Sequence, residues 1–353
     1  MLKDQFIHRS LTGCIALLTA ILLVTGCGKG SNIPSVDHLD GSFNLVRFEQ
    51  ELWSLDTMAP AADLSALQAR HPEFSDLYFT HILPLSQVRD TTTGSLDAIR
   101  QIIGDPRLRF IADTVGAVFD DFSDVEQALR QAFQYYLYYF PGNRPPAIYT
   151  LISDFGYFPF IFEDADGDAI GISLEMFLGT DFAYRDFVGN HPAFSDYLRR
   201  SLNRDHIVKK VLDVLIDDIM GPPPGDRLID LMLHNGKRLY LLDQLLPTHP
   251  DSVIMEYTPE QLAWCAQNER NLWAHLLTED LLYSNEFSKI NKLVNYSPNV
   301  PGLPEEAVGR VANWTGWQII RAWRQQQPDL SVVEIIATRD AQKLLELARY
   351  KPR

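Results

Sequence analysis

Two carboxylates one helical turn apart, Asp213 and Asp217, and the run His234-Asn235-Gly236-Lys237 come nearest to chemistry in this sequence. Side chains at i and i+4 stack on one face of a helix, the spacing with which two of them hold a metal ion. The aspartates fall roughly opposite the apolar stripe of their helix, the position of a solvated face or of a cleft wall. Zinc prefers imidazole and thiolate to a carboxylate pair, and no Glu stands ready to activate a metal-bound water. No H-E-x-x-H occurs: His206 is followed at i+4 by Lys210, and His234 by Arg238. The serines are not in G-x-S-x-G, and no Gly-rich phosphate loop is present. No catalytic residue, metal ligand or cofactor is therefore assigned. Asp213, Asp217, His234, Asn235 and Lys237 are candidate binding residues of a groove.

One further acidic run carries spacing of interest. Asp164, Asp166 and Asp168 read D-x-D-G-D, as a calcium loop begins, and Glu175 stands at its twelfth position. A calcium loop of that kind needs helices on both sides, whereas the flanks here look like strands. A solvated hairpin turn is the better reading.

The elements that must position the candidates are two helices joined by an elbow over residues 206–246. Ile207, Val208, Val211, Leu212, Leu215, Ile216 and Ile219 make one helical stripe. Pro222, Pro223 and Pro224 stop that helix, having no N–H to donate. Gly225 or Asp226 opens the second, Asp being a good N-cap. The second helix is apolar almost all round, which predicts burial. Gly236 lies in its middle, where Gly weakens a helix by about 1 kcal/mol relative to Ala. Such a defect implies a close approach by another element.

Length and composition bound the rest. The 353 residues, 46% hydrophobic and 22% charged, describe an ordinary globular chain rather than a disordered one. Lys3 and Arg9 precede the apolar run of residues 11–24, which ends in Val24-Thr25-Gly26-Cys27. Residues 1–26 thus read as a signal peptide with a lipobox, and Cys27 as the residue that becomes lipidated. The apolar run is shorter than the roughly 20 residues a spanning helix needs. Net charge is −15 for the whole chain, and loss of Lys3, Asp4 and Arg9 leaves −16. Nucleic-acid binders carry basic patches, so nucleic acid is not an expected partner. Charge does not hold this chain to anionic headgroups either, which leaves attachment to the acyl chains on Cys27. Beyond Cys27 only Cys265 remains, in an apolar run, and it reads as a buried small hydrophobe.

In order, residues 27–42 read as a polar tether and residues 43–353 as one domain. Helical patterning dominates from Asp63, and residues 134–140 form a thick aromatic block that belongs to a core. Residues 147–153, 157–163 and 169–175 are three β-rich runs that read as an antiparallel meander. Thr258-Pro259 opens a well-capped helix. Residues 284–303 read as a connecting loop, and residues 305–326 and 332–350 as two terminal helices. The fold class expected is α+β, mostly helical, with a small antiparallel sheet beside the central helix pair.

Several segments taken together resemble the gliding motility-associated lipoprotein B (GldB) family of the Bacteroidota. They are the lipobox at Cys27, RFEQELWSLD at 47–56, IGISLEMFLG at 170–179, LIDLMLHNGKRLYLLD at 228–243, GWQIIRAW at 316–323 and ARYKP at 348–352. A fainter likeness lies behind it. Strands, a helix and a second helix with a small-residue patch follow the layout of a zincin-like metallopeptidase, here without the zinc motif. The resemblance implies a lipid-anchored (diacyl or palmitoyl-bearing) envelope protein, its domain periplasmic. Its role would be to support gliding motility by binding other envelope proteins of the gliding and secretion machinery, as a pseudo-peptidase rather than an enzyme. The groove expected runs between residues 170–175 and the helix pair, near Asp217, His234 and Asn235, where a partner strand adds to the sheet. The competing reading is a metal-dependent hydrolase acting on peptide or cell-wall material, with Asp213, Asp217 and His234 as non-standard ligands. A third is a lipoprotein that serves only as a spacer.

Overall fold

The computed structural model describes residues 33–56, 58, 61–83 and 95–353. The expected signal peptide of residues 1–26 and Cys27 lie outside the described residues. The chain divides into two compact units, Met1–Ser35 and Val36–Arg353, and the elements named below all lie in the second.

Strand β1 (Leu45–Arg47) runs straight into α1 (Phe48–Trp53). Helices α2 (Ala61–Arg70), α3 (Pro72–Leu77), α4 (Ser95–Gly104), α5 (Pro106–Val118) and α6 (Ser123–Tyr139) follow. Strands β2 (Ala147–Leu151), β3 (Phe160–Asp164) and β4 (Gly167–Ser173) complete the sheet. Two short helices, α7 (Tyr184–Val188) and α8 (Asp196–Arg199), lead to the central pair, α9 (Ile207–Met220) and α10 (Leu228–Leu245). The C-terminal part holds α11 (Asp251–Met255), α12 (Pro259–Gln267), α13 (Glu269–Thr278), α14 (Phe287–Val294), α15 (Val311–Gln326), α16 (Val332–Ala337) and α17 (Ala341–Ala348). The class is α+β and mostly helical, as expected.

The sheet is mixed, not antiparallel. Its order is β1-β2-β4-β3, with β1 and β4 each parallel to β2 and only β3 antiparallel to β4. Periodicity carries no strand direction, so the three β-rich runs could not reveal it. Between β2 and β3 the chain passes through Asp154 and Phe155, both with positive φ, and re-enters at the far edge. The interior strands β2 and β4 are buried almost throughout, as parallel strands covered on both faces must be. The acidic run is indeed the β3–β4 hairpin: Asp164 pairs with Gly167 across the two turn residues Ala165 and Asp166.

Part of the expected tether packs on the domain instead. Val36 is buried, and the Leu39 carbonyl accepts from Gln134 Nε2 at 2.9 Å on α6. The fold therefore starts at Val36 rather than at residue 43.

Helix α9 ends at Gly221, whose φ of 60° turns the chain into the prolines. The opening of α10 differs from expectation. Its N-cap is Arg227, not Gly225 or Asp226, and no side chain caps it. The Leu228 and Ile229 N–H groups instead donate to the carbonyls of Ser284 and Leu282, 2.9 Å each. Gly236 has the close neighbour that its position implied: a Cβ there would lie 2.7 Å from Gly316 O and Trp317 N on α15. Thr258 makes the full capping box with Gln261, and Cys265 is buried, its thiol pushed up to about 12 by burial. The expected loop of residues 284–303 contains α14, and the last expected helix is broken between α16 and α17. The helix expected over residues 305–326 starts only at Val311.

Beneath the sheet, Glu175 is fully buried. Its Oε1 accepts from Ser153 N and Oγ at 2.7 Å each and from Phe155 N at 3.1 Å, while Oε2 has no partner. It is far from a calcium ligand in role: it ties the strand β2 exit to the turn after β4. Burial raises its carboxyl from 4.5 to about 7 despite those bonds. Between those values the folded chain keeps a proton that the unfolded chain has lost, so this group's contribution to stability falls as pH rises. Glu175→Gln keeps the acceptor and removes the titration. It is expected to flatten that decline by roughly 3 kcal/mol. Urea midpoints measured across the range would show it, and parallel pH profiles for the two proteins would refute it.

Candidate functional site

The two aspartates of α9 do not face each other across an open site; each is taken by a cation. Lys209 Nζ lies 2.6 Å from Asp213 Oδ2, within α9 itself. Arg238 on α10 lies 2.6 Å from Asp217 Oδ1. Asn235 donates from Nδ2 to Asn313 Oδ1 at 3.0 Å, joining α10 to α15. His234 is buried, and burial together with Lys237 and Arg238 lowers its pKa to about 4. Its imidazole is therefore neutral near pH 7. Lys237 turns to another side of α10, where Nζ donates to the carbonyls of Ile336 and Thr338 at 3.1 and 2.7 Å. Burial lowers that ammonium to about 8.

Asp213 and Asn235 meet at a cavity of about 200 Å³ between α9, α10, the segment after α14 and the first turn of α15. Asp217 joins it only through Arg238, and neither His234 nor Lys237 lines it. Nor does the groove run along residues 170–175. Strand β4 is interior, hydrogen-bonded to β2 and β3, so no partner strand can add there. The sheet's free edges are β1 and β3.

The strongest electrostatics of this site were not in the candidate set. Glu256, 4% exposed, sits between α11 and α12 with φ of 56°. Its Oε1 is 2.5 Å from Lys209 Nζ and 2.8 Å from Lys210 Nζ, and its Oε2 accepts from Tyr296 Oη at 2.7 Å. Burial acts to raise this carboxyl, but Lys209, Lys210 and Arg310 outweigh it and hold it well below the usual range. Burial likewise acts to lower Lys210, and Glu256 reverses it. A fully desolvated carboxylate between two ammoniums is stable only while all of them are present.

Arg310 completes the set. It is the N-cap of α15, held at φ of 73°, and its side chain makes no cap. NH1 donates to the Met255 carbonyl at 3.0 Å, and the guanidinium lies 4.4 Å from the centroid of the Tyr296 ring. Among the described residues no carboxylate comes within ion-pair distance of it. Two αL residues, a buried acid and a buried arginine from segments far apart in sequence leave no periodic trace, which is why sequence reasoning passed over them. The one local signal was the pair Lys209-Lys210, placed beside an otherwise apolar stripe.

Chemically the arrangement offers donors: the guanidiniums of Arg310 and Arg238, an ammonium and the amides of Asn235 and Asn313. It offers no nucleophile beside a base. Among the described residues, no group of three or more His, Cys, Asp or Glu side chains stands where it could hold a metal ion. No described helix is long and apolar enough to cross a membrane.

Comparison with known families matches residues 29–352 to the family described as gliding motility protein GldB. No curated protein and no solved structure matches.

Proposed function

The chain belongs to the gliding motility protein GldB family, and from that premise we propose that it serves the gliding machinery as a lipid-anchored envelope protein that works by binding. In this reading Cys27 carries the lipid, the domain is periplasmic, and the partners are other envelope proteins. The observation that supports binding over catalysis is the pairing of Asp213 with Lys209 and of Asp217 with Arg238. The carboxylates that stand in place of metal ligands are already neutralised by their own neighbours. A hydrolase built on Asp213, Asp217 and His234 would first have to break both pairs.

Two substitutions test the two halves. Cys27→Ser in the full chain is expected to move the protein from the membrane to the soluble fraction. Persistent membrane attachment would count against the lipid. Arg238→Glu places a negative charge at the cavity without touching the buried cluster around Glu256. It is expected to abolish the envelope complexes that cross-linking captures with the unaltered chain, while circular dichroism stays unchanged. Complexes of undiminished yield would refute binding through this face.

A further inference from the structure

Charge around the cavity does not balance. Lys209, Lys210, Arg238 and Arg310 stand against Asp213, Asp217 and Glu256, which leaves one surplus positive charge. Each of the other three cations has a carboxylate at 2.8 Å or less, so the surplus belongs to Arg310. That residue is only 8% exposed, and one of its five donors makes the single hydrogen bond to Met255. Burial penalises the charged form, and Glu256 and Asp213 outweigh that penalty through space and keep the guanidinium charged, but neither stands at ion-pair distance to accept from it. Arg238 is paired with Asp217, yet its Nε is buried with no protein partner. Both residues line the same cavity.

The size and charge of the space limit what would fill it. About 200 Å³ is below the roughly 300–1,000 Å³ of pockets that take a whole small-molecule ligand. It has room for one side chain or one chain end. A phosphate group carries nearly two negative charges, more than the surplus, and Asp213 at the wall would repel the second. A carboxylate carries one, and its two oxygens match the fork of a guanidinium. The start of α15 adds the favourable end of a 16-residue helix dipole, with no side chain capping it.

We propose that this cavity receives a single carboxylate borne on a partner polypeptide, held by Arg310 and Arg238 with the Asn235–Asn313 amide pair beside them. The proposal rests on the binding role above and names what that face recognises: an acidic side chain or a free C-terminus. Both present the same group, and the test separates them.

The full chain in detergent would be titrated with acetate and with two alanine-based tripeptides. One is capped at both ends with a central Glu; the other is acetylated with a free C-terminus. Binding is read from saturation transfer to the ligand's proton signals. Acetate is expected to bind in the millimolar range, and one of the two peptides about tenfold more tightly; which one identifies the source. Asn235→Asp sets a negative charge in the cavity with little change of volume and is expected to abolish binding of all three. Arg310→Gln is expected to weaken it at least tenfold, and Asn235→Asp keeps the test valid if that variant does not fold. Absence of binding by any probe, or equal binding by both variants, would overturn the proposal. So would binding of acetate without either peptide. If the probes fail while Arg238→Glu still loses its envelope complexes, the carboxylate is wrong and the binding role stands. If the probes bind while the complexes persist, the binding role is wrong.

Discussion

Glu256→Gln is expected to destabilise the domain by about 3–5 kcal/mol, the cost typical of removing one partner from a buried ion pair. Gln has nearly the shape of Glu and takes the left-handed backbone at φ of 56° no less readily, so the loss isolates charge. Lys209 and Lys210 would be left within 2.5 and 2.8 Å of a neutral amide, with Lys209 only 2% exposed. Its pH signature is specific. The Glu256 carboxyl lies well below 4.5 in the fold, so its contribution is complete above the unfolded value and is lost as pH falls through the folded one. The variant is therefore expected to lack that part of the acid limb of the stability curve. Urea denaturation near neutral pH, repeated down to about pH 3, measures both effects. Pairing the change with Lys209→Met is expected to recover part of the loss, since the two residues are coupled. A loss below about 1 kcal/mol would show that the cluster is relieved by water or by rearrangement.

Gly316→Val is the second large effect, expected to cost about 3 kcal/mol or more. A Cβ at this position would overlap the Met232 carbonyl of α10, and one at Gly236 would meet the Gly316 carbonyl in return. Both obstacles are backbone, which cannot rotate aside as a side chain can. Overpacking that side chains relieve costs about 1–3 kcal/mol; here the two helices must separate along their whole crossing. Replacing Gly in a helix would otherwise be favourable, by about 1 kcal/mol for Ala, so even Gly316→Ala is expected to destabilise. Because Gly236 and Gly316 face one another, the double variant is expected to lose much less than the sum. Additive losses in urea titrations would mean that the helices do not touch there.

The elements that local sequence specifies best were legible. The apolar stripe of α9 and the Thr258 cap read through because each depends on neighbours within a turn or two, and the buried Cys265 read through from its apolar run. Gly236 marked a close approach, though not by which element. The misses are non-local. Strand direction in the sheet, the capping of α10 by carbonyls of residues 282 and 284, and the ion pairs of Glu256 each depend on a distant segment. The candidate site was half legible for a simpler reason. Asp213 and Asn235 reach the cavity, but Lys237 is two residues from Asn235, about 200° around a helix. One face cannot hold both, and the structure sends Lys237 to the carbonyls of Ile336 and Thr338.

Strand β1 has a consequence for the order in which the chain assembles. It pairs with β2 over three residues only, and Leu45 stands opposite Ile148, 103 positions away. Closing a loop of that length costs roughly 4 kcal/mol of chain entropy, more than three ladder positions return. The pairing waits until α1 to α6 have brought the ends together, and the Thr150–Glu49–Arg47 hydrogen bonds then fasten it. Strand β1 is thus the last part of the sheet to settle and the first to open. In hydrogen exchange its amides should report local opening well before the rest of the sheet lets go. The sheet would therefore come apart from its β1 edge inward, with the interior strands β2 and β4 the last to part.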